Sequence, residues 1–175
     1  MQDTRNILDC YKGWETDLIR NDVQSKTFPY AALMTNIVGD FNIATMIRCG
    51  NAFGCREVFY YGKRKWDRRG TVGTHHYTSV KHISTLDSLK QLKDKYRLIG
   101  LEVNTSYSPT PLYAYDIQPN SLFIFGEEAQ GIPDEILQLC DDVIYVPMYG
   151  SVRSLNVATC SAIVFSEAAR KFSKQ

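Results

Sequence analysis

Short apolar runs alternate with segments of helical period along most of this chain, beginning with Tyr30-Ala-Ala-Leu-Met34 and a helical stretch from Phe41 to Phe53. Val58 to Tyr61 reads as the next strand and Thr85 to Arg97 as a helix. Leu98 to Val103, Leu122 to Phe125, a helix opened by Pro133 and reaching Cys140, Val143 to Val146, and a closing helix from Leu155 to Phe172 complete the series. Strands that alternate with helices predict an α/β fold, a parallel sheet with helices on both faces. Gly54 is placed as a helix C′ glycine and Ser154 as an N-cap. Before the first strand, Ile7, Tyr11, Trp14 and Leu18 recur at spacings of about four, three and four, predicting one amphipathic helix over residues 3–20 laid against the domain. The expected organisation is an N-terminal helical extension over 1–27 and one domain over 28–175. Asn104 to Pro111 is its most linker-like stretch.

The closing helix carries two stripes. Leu155, Ala158, Ala162, Phe165, Ala169 and Phe172 form one, able to cover the sheet, while Val157, Ser161, Val164 and Ala168 form a second. Small residues on the second suit close packing against another helix, either in a homodimer or within the monomer.

Composition narrows the class. With 175 residues, 44% of them hydrophobic, the chain can bury a core without disulfide staples. No apolar run approaches the roughly 18 residues of a membrane span, and no secretory signal is visible, so a cytoplasmic protein is expected. The five cysteines form no C-x-x-C pair, which argues against a zinc or disulfide framework and for no metal. Charge is uninformative in sum, 20 basic residues against 19 acidic, but not in layout. From Leu98 to Val152 there are acids and no base, whereas Lys63-Arg64-Lys65-Trp66-Asp67-Arg68-Arg69 concentrates cations around an aromatic ring, and His75, His76 and His82 follow. Such a stretch is either a solvated loop or a contact for a polyanion, with an aromatic ring to stack on a base and cations to hold phosphates.

Three segments carry candidate chemistry. Asn42 to Gly54 holds Arg48 in an otherwise apolar helix, where it either snorkels to the surface or binds a phosphate or carboxylate. Phe123-Ile-Phe-Gly126-Glu127-Glu128-Ala-Gln-Gly131-Ile-Pro133 runs from a strand into a glycine turn, the place where open parallel sheets bind ligands. It is neither a Walker loop nor a Rossmann fingerprint. Val146 to Val157 places Ser154 and Asn156 beside a helix N-terminus.

In this order the three segments resemble the motifs of the SPOUT superfamily of RNA methyltransferases, on the SpoU/TrmH-like branch that methylates the ribose 2′-hydroxyl, from about Tyr30 to Lys171. The resemblance implies a C-terminal trefoil knot, against the general rarity of knots, and a homodimer built through the knot and the closing helix. It also implies S-adenosylmethionine as cofactor and RNA as partner. Asn42, Arg48, Glu128, Ser154 and Asn156 match its catalytic positions. Leu101, Gly126, Val146, Met148 and Leu155 match a cofactor site made largely of backbone. Lys65-Trp66-Asp67-Arg68-Arg69 looks like the RNA-facing loop of its smaller members, and Lys63, Arg64, Lys65, Trp66, Arg68 and Arg69 are expected to bind RNA. Asp40-Phe41, Ala44-Thr45 and Ala129 depart from the residues that relatives more often carry.

The implied reaction is attack of a ribose 2′-oxygen on a sulfonium methyl group. A guanidinium stays protonated, so Arg48 is read as a phosphate clamp that stabilises the developing alkoxide, with Ser154 and Asn156 orienting the ribose and Glu128 orienting Arg48 or a water. Absence of an added RNA-binding domain favours tRNA over rRNA. The alternative is a catalytically inactive RNA-binding or assembly protein on the same fold.

Overall fold

The computed structural model describes residues 5, 7–36, 41–63, 65–103, 105–127 and 130–173. Seven strands form one sheet in the order β3-β2-β1-β6-β4-β7-β5, and every pairing in it is parallel. The strands are β1 (Phe28–Asn36), β2 (Cys55–Gly62), β3 (Val80–Ile83), β4 (Arg97–Leu101), β5 (Thr110–Pro111), β6 (Ser121–Phe125) and β7 (Asp142–Tyr145). The helices are α1 (Thr16–Ser25), α2 (Asn42–Ala52), α3 (Leu86–Lys90), α4 (Asp134–Leu137) and α5 (Val157–Phe172).

Successive side chains of a strand point to opposite faces, and β1 feeds two cores in this way. Tyr30, Ala32 and Met34 join Phe123, Phe125 and the buried residues of α2 and α5 on one face. Ala31 and Leu33 join Leu122, Ile124, Leu89 of α3 and Ile136 and Leu137 of α4 on the other. Both faces of the central strands are therefore dry, which explains runs that are apolar at every position. Tyr30 lies within this apolar layer because its hydroxyl donates to the Phe53 carbonyl at 2.7 Å, and its ring stacks at 6.3 Å from Phe172.

Several sequence expectations change. The helix over residues 3–20 is instead a 3-10 turn at Asp9–Tyr11 followed by α1 at Thr16–Ser25. Its buried residue is Ile19, while Trp14 and Leu18 are exposed. Hydrogen bonds from Arg20 to the His76 carbonyl (2.6 Å) and from Gln24 to the Tyr77 carbonyl (3.0 Å) set this register, a tertiary effect that the apolar spacing did not carry. The helix expected from Thr85 to Arg97 stops at Lys90, continues as a 3-10 turn to Asp94, and gives way to β4 at Arg97. The linker-like stretch holds β5, which pairs with β7. Asn156, not Ser154, caps α5: its side-chain oxygen accepts from the Ala158 and Thr159 amides at 3.0 and 3.1 Å. On α5 itself, Val157, Ser161, Val164 and Ala168 are buried within one chain, so the second stripe already has its partner and lends no support to a dimer.

On β2, Glu57 is an acid at the edge of the core, 8% exposed. Burial would raise its pKa, but hydrogen bonds from Lys81, Tyr96 and Lys95 outweigh that and hold the carboxyl near 2. A carboxyl depressed in the folded state stabilises fully above its unfolded pKa, about 4.3, and loses that contribution as pH falls through the folded value. Glu57→Gln is expected to flatten the stability profile between about pH 4.3 and 2, read as urea midpoints against pH. An unchanged acid limb would assign acid unfolding to other groups.

Candidate active site

A crevice of about 290 Å³ opens at the carboxyl ends of β4, β6 and β7, where open parallel sheets accept ligands. Leu101, Phe125 and Tyr145, the last residues of those strands, contribute to its wall. The segment between β7 and α5 supplies Val146, Met148, Ser154 and Leu155, and α5 adds Val157 and Cys160. All five positions expected to hold a cofactor (Leu101, Gly126, Val146, Met148 and Leu155) line this one cavity.

The floor after β6 is a tight backbone approach. Glu127 and Gly131 form an antiparallel bridge, with the Gly131 amide donating to the Glu127 carbonyl at 2.9 Å. A Cβ on Gly126 would stand 2.1 Å from the Gly131 carbonyl carbon, a distance no side chain can adopt. Gly131 has φ +69°, and a Cβ there would meet Glu102 at 2.8 Å. Gly126 is thus required by the backbone contact, while Gly131 is favoured by its left-handed φ.

Charge in the crevice has one sign. Glu102 and Glu127 are the ionisable acids among its described lining residues, and no Lys, Arg or His accompanies them. One Glu102 oxygen accepts from the Val103 amide at 2.8 Å. Glu127 Oε1 is buried and has no hydrogen-bond partner among the described residues. Burial pushes the Cys160 thiol up to about 11, so it forms a neutral wall rather than a nucleophile. Sequence reasoning missed Glu102, Gln130 and Cys160 and passed over Glu127. Only the adjacency of Glu127 to the matched Glu128 could have drawn attention to it.

At the crevice edge the N-termini of α2 and α5 meet. Asn156 donates through Nδ2 to Asn42 Oδ1 at 3.0 Å while its own oxygen caps α5, so one amide fixes two helices and a second amide. Ser154 is exposed on the crevice wall. Arg48 is elsewhere. Six residues along α2 from Asn42 and on another face, it is exposed and lines a second cavity with Phe28, Asn51, Tyr77 and Ala169. One chain by itself therefore does not bring Arg48 to the crevice. Glu128 and Arg64 lie outside the described residues.

The basic loop docks over the start of α2. The Arg69 guanidinium sits 5.3 Å above the exposed Phe41 ring, one residue before α2, and Gly70 approaches Ala44 so closely that a Cβ would meet it at 2.9 Å. Lys63, Lys65, Arg68 and Arg69 are exposed, although Arg69 is bound by Asp67, whose carboxylate that pairing lowers in pKa. Trp66 is less available than its sequence context implied. It packs against the core, its edges meet Tyr60 and His75, and Arg68 lies 5.9 Å over its ring.

Comparison with known proteins settles the lineage. The profile of the SpoU rRNA methylase family matches residues 30–166. This chain belongs to that family. Among SpoU relatives, a tRNA (guanosine(18)-2′-O)-methyltransferase of Escherichia coli strain K12 is 31% identical over 134 residues, covering 74% of this chain and 58% of the relative. The chain spans less than two thirds of the length of the curated relatives it first matches. Among solved structures, the TrmH/SpoU tRNA modifying enzyme of Aquifex aeolicus superposes with TM-score 0.79 at 21% identity, over 91% of this chain and 83% of the other. The SpoU methyltransferase AviRb from Streptomyces viridochromogenes, in complex with AdoMet, superposes with TM-score 0.74 at 20% identity, over 88% and 65%. The sheet and its helices are those of the SPOUT fold. No helix among the described residues is long and apolar enough to cross a membrane, and no described group of three His, Cys, Asp or Glu could hold a metal ion.

Proposed function

We propose that this chain is an S-adenosylmethionine-dependent RNA methyltransferase that modifies a ribose 2′-hydroxyl, on tRNA rather than rRNA, acting in the cytoplasm as a homodimer. The observation that carries the reading is the crevice at the ends of β4, β6 and β7. Its lining gathers Leu101, Gly126, Val146, Met148 and Leu155, and the hydrogen-bonded Asn42 and Asn156 amides stand at its edge. The residues fit a cationic nucleoside: apolar walls for an adenine, close main chain at Gly126 and Gly131, and acids without bases. When bound, that cofactor supplies an electrophilic methyl group. Asn42, Ser154 and Asn156 orient the ribose, and the exposed cations Lys63, Lys65, Arg68 and Arg69 bind phosphates of the same strand. Positioning on this scale supplies about 7 to 11 kcal/mol of a barrier. The name of the E. coli relative supports tRNA as substrate.

Two further features enter the proposal. β7 lies between β4 and β5, so the chain after β7 leaves beside the segment that joins those two strands, a placement that supports the implied knot. Arg48 lines a different cavity of its own chain, so a shared action of Arg48 and the crevice on one nucleotide calls for a second subunit. Residues 1–27 form the extension and 28–175 the catalytic domain in this reading.

The test is calorimetric binding of S-adenosylmethionine followed by transfer of labelled methyl groups to bulk tRNA and bulk rRNA. Binding with transfer to tRNA ribose is expected. Binding without transfer to either RNA would identify the inactive RNA-binding alternative, and a 20 kDa species alone in sedimentation at micromolar concentration would remove the dimer. Arg48→Lys is expected to lower turnover by at least about ten-fold with donor affinity unchanged, because an ammonium cannot reproduce a guanidinium fork.

A further inference from the structure

We infer that the Glu127 carboxylate sets the preference of the crevice for the cationic methyl donor over the neutral thioether left after transfer, an inference that rests on the function proposed above. S-adenosylmethionine and S-adenosylhomocysteine carry the same adenosine and the same amino-acid head. They differ by one methyl cation, so whatever distinguishes them in a binding site reads the charge and bulk at sulfur.

Three observations converge on Glu127. It lines the crevice directly after Gly126, at the end of β6. The bridge to Gly131 anchors its backbone at the end of β6. Its Oε1 is buried without a hydrogen-bond partner among the described residues, whereas one oxygen of the neighbouring Glu102 is already bound by the Val103 amide. A buried carboxylate oxygen left unpaired costs stability unless something else compensates it. No base on the described lining does so. A cationic ligand would compensate it, and the donor brings a sulfonium that the product lacks.

Chemistry at sulfur then decides the sign. Transfer breaks the sulfonium–methyl bond, its electron pair stays on sulfur, the new oxygen–methyl bond forms at the ribose, and the hydroxyl proton leaves to solvent. The positive charge facing Glu127 disappears in that step. A carboxylate on the wall therefore binds the donor more tightly, leaves the product weakly held and speeds exchange of spent for fresh cofactor.

The experiment compares the dissociation constants of S-adenosylmethionine, S-adenosylhomocysteine and the non-transferable analogue sinefungin, which carries an amine in place of the sulfonium methyl, for the wild-type chain, Glu127→Gln and Glu127→Asp. Contributions of methyl bulk cancel between variants, leaving the charge. Glu127→Gln is expected to weaken both cationic ligands on the order of ten-fold, the size of a Coulomb interaction across a few ångströms of partly buried protein. The thioether is expected to hold within about two-fold, its sulfur carrying no charge. Glu127→Asp keeps the donor preference. Glu127→Gln keeps the size and shape of a half-buried side chain, so it is expected to fold as stably as wild type, and Glu127→Asn provides a second neutral side chain. Equal weakening of all three ligands makes Glu127 an uncharged hydrogen-bond partner and overturns the inference, as does no change in any. A wild-type chain that binds none of the three overturns the proposed function itself, a different failure.

Discussion

Gly126→Ala is expected to weaken binding of S-adenosylmethionine by at least about 100-fold, the equivalent of about 2.8 kcal/mol. The added Cβ would stand 2.1 Å from the Gly131 carbonyl carbon and 2.3 Å from the Ile132 amide nitrogen. Both are backbone atoms, so no rotamer change relieves the clash. The chain must open the Glu127–Gly131 bridge instead, moving the floor that the crevice presents to its ligand. Because Ile132 is buried in the second core, part of the strain passes into packing and the melting temperature falls as well. Calorimetry and thermal unfolding on the same preparation check both. Wild-type affinity with an unchanged melting temperature would mean that this turn yields freely, and the main-chain description of the site would be wrong.

Asn156→Ala carries the second large effect, and it divides into two parts. Loss of the oxygen that accepts from Ala158 and Thr159 removes the N-cap of α5, worth about 1 to 2 kcal/mol. That helix supplies Val164, Phe165 and Ala168 to the main core, so the loss appears as a melting point lower by roughly 2 to 8 °C. Loss of the amide that donates to Asn42 frees the second polar group at the crevice edge. Methyl transfer is expected to fall by about 100-fold, as for a displaced positioning group. Asn156→Asp separates the two parts. An aspartate caps a helix as well as asparagine does, so stability should stay within about 0.5 kcal/mol. The donor to Asn42 is gone, and transfer should still fall by at least about ten-fold, the equivalent of about 1.4 kcal/mol in the barrier. Full activity in the aspartate variant would reduce the asparagine pair to a structural cap.

The architecture was legible because it is written in local periods. Tyr30 to Met34 and Leu122 to Phe125 are apolar at every position, and both faces of the strands they form are covered. The amphipathic α2 and α5 lie where their spacing put them, to within a residue or two. What the periods missed were elements whose residues face two environments. β3 reads as Val80-Lys-His-Ile83, a mixed edge strand whose single neighbour is β2, and β5 has two residues. Residues 9–25 split into a turn and a helix because hydrogen bonds to the loop at His76 and Tyr77 override the apolar spacing.

The five expected cofactor positions come from motif resemblance, and their gathering in one crevice follows from the sheet order. β4, β6 and β7 lie side by side, although their carboxyl ends come from residues 101, 125 and 145. Sequence alone determined the fold class, the covered sheet and the family motifs, because hydrophobic burial has the period of the backbone and the motif residues stand in order along it. Tertiary structure alone decided that Arg48 faces a different cavity from Gly126, that Asn156 rather than Ser154 caps α5, and that Glu127 keeps a buried oxygen without a donor. The first turns on distances between segments far apart in the chain, the second on which of two neighbouring residues precedes the first helical turn, the third on how one side chain is buried, and no hydrophobic period encodes them.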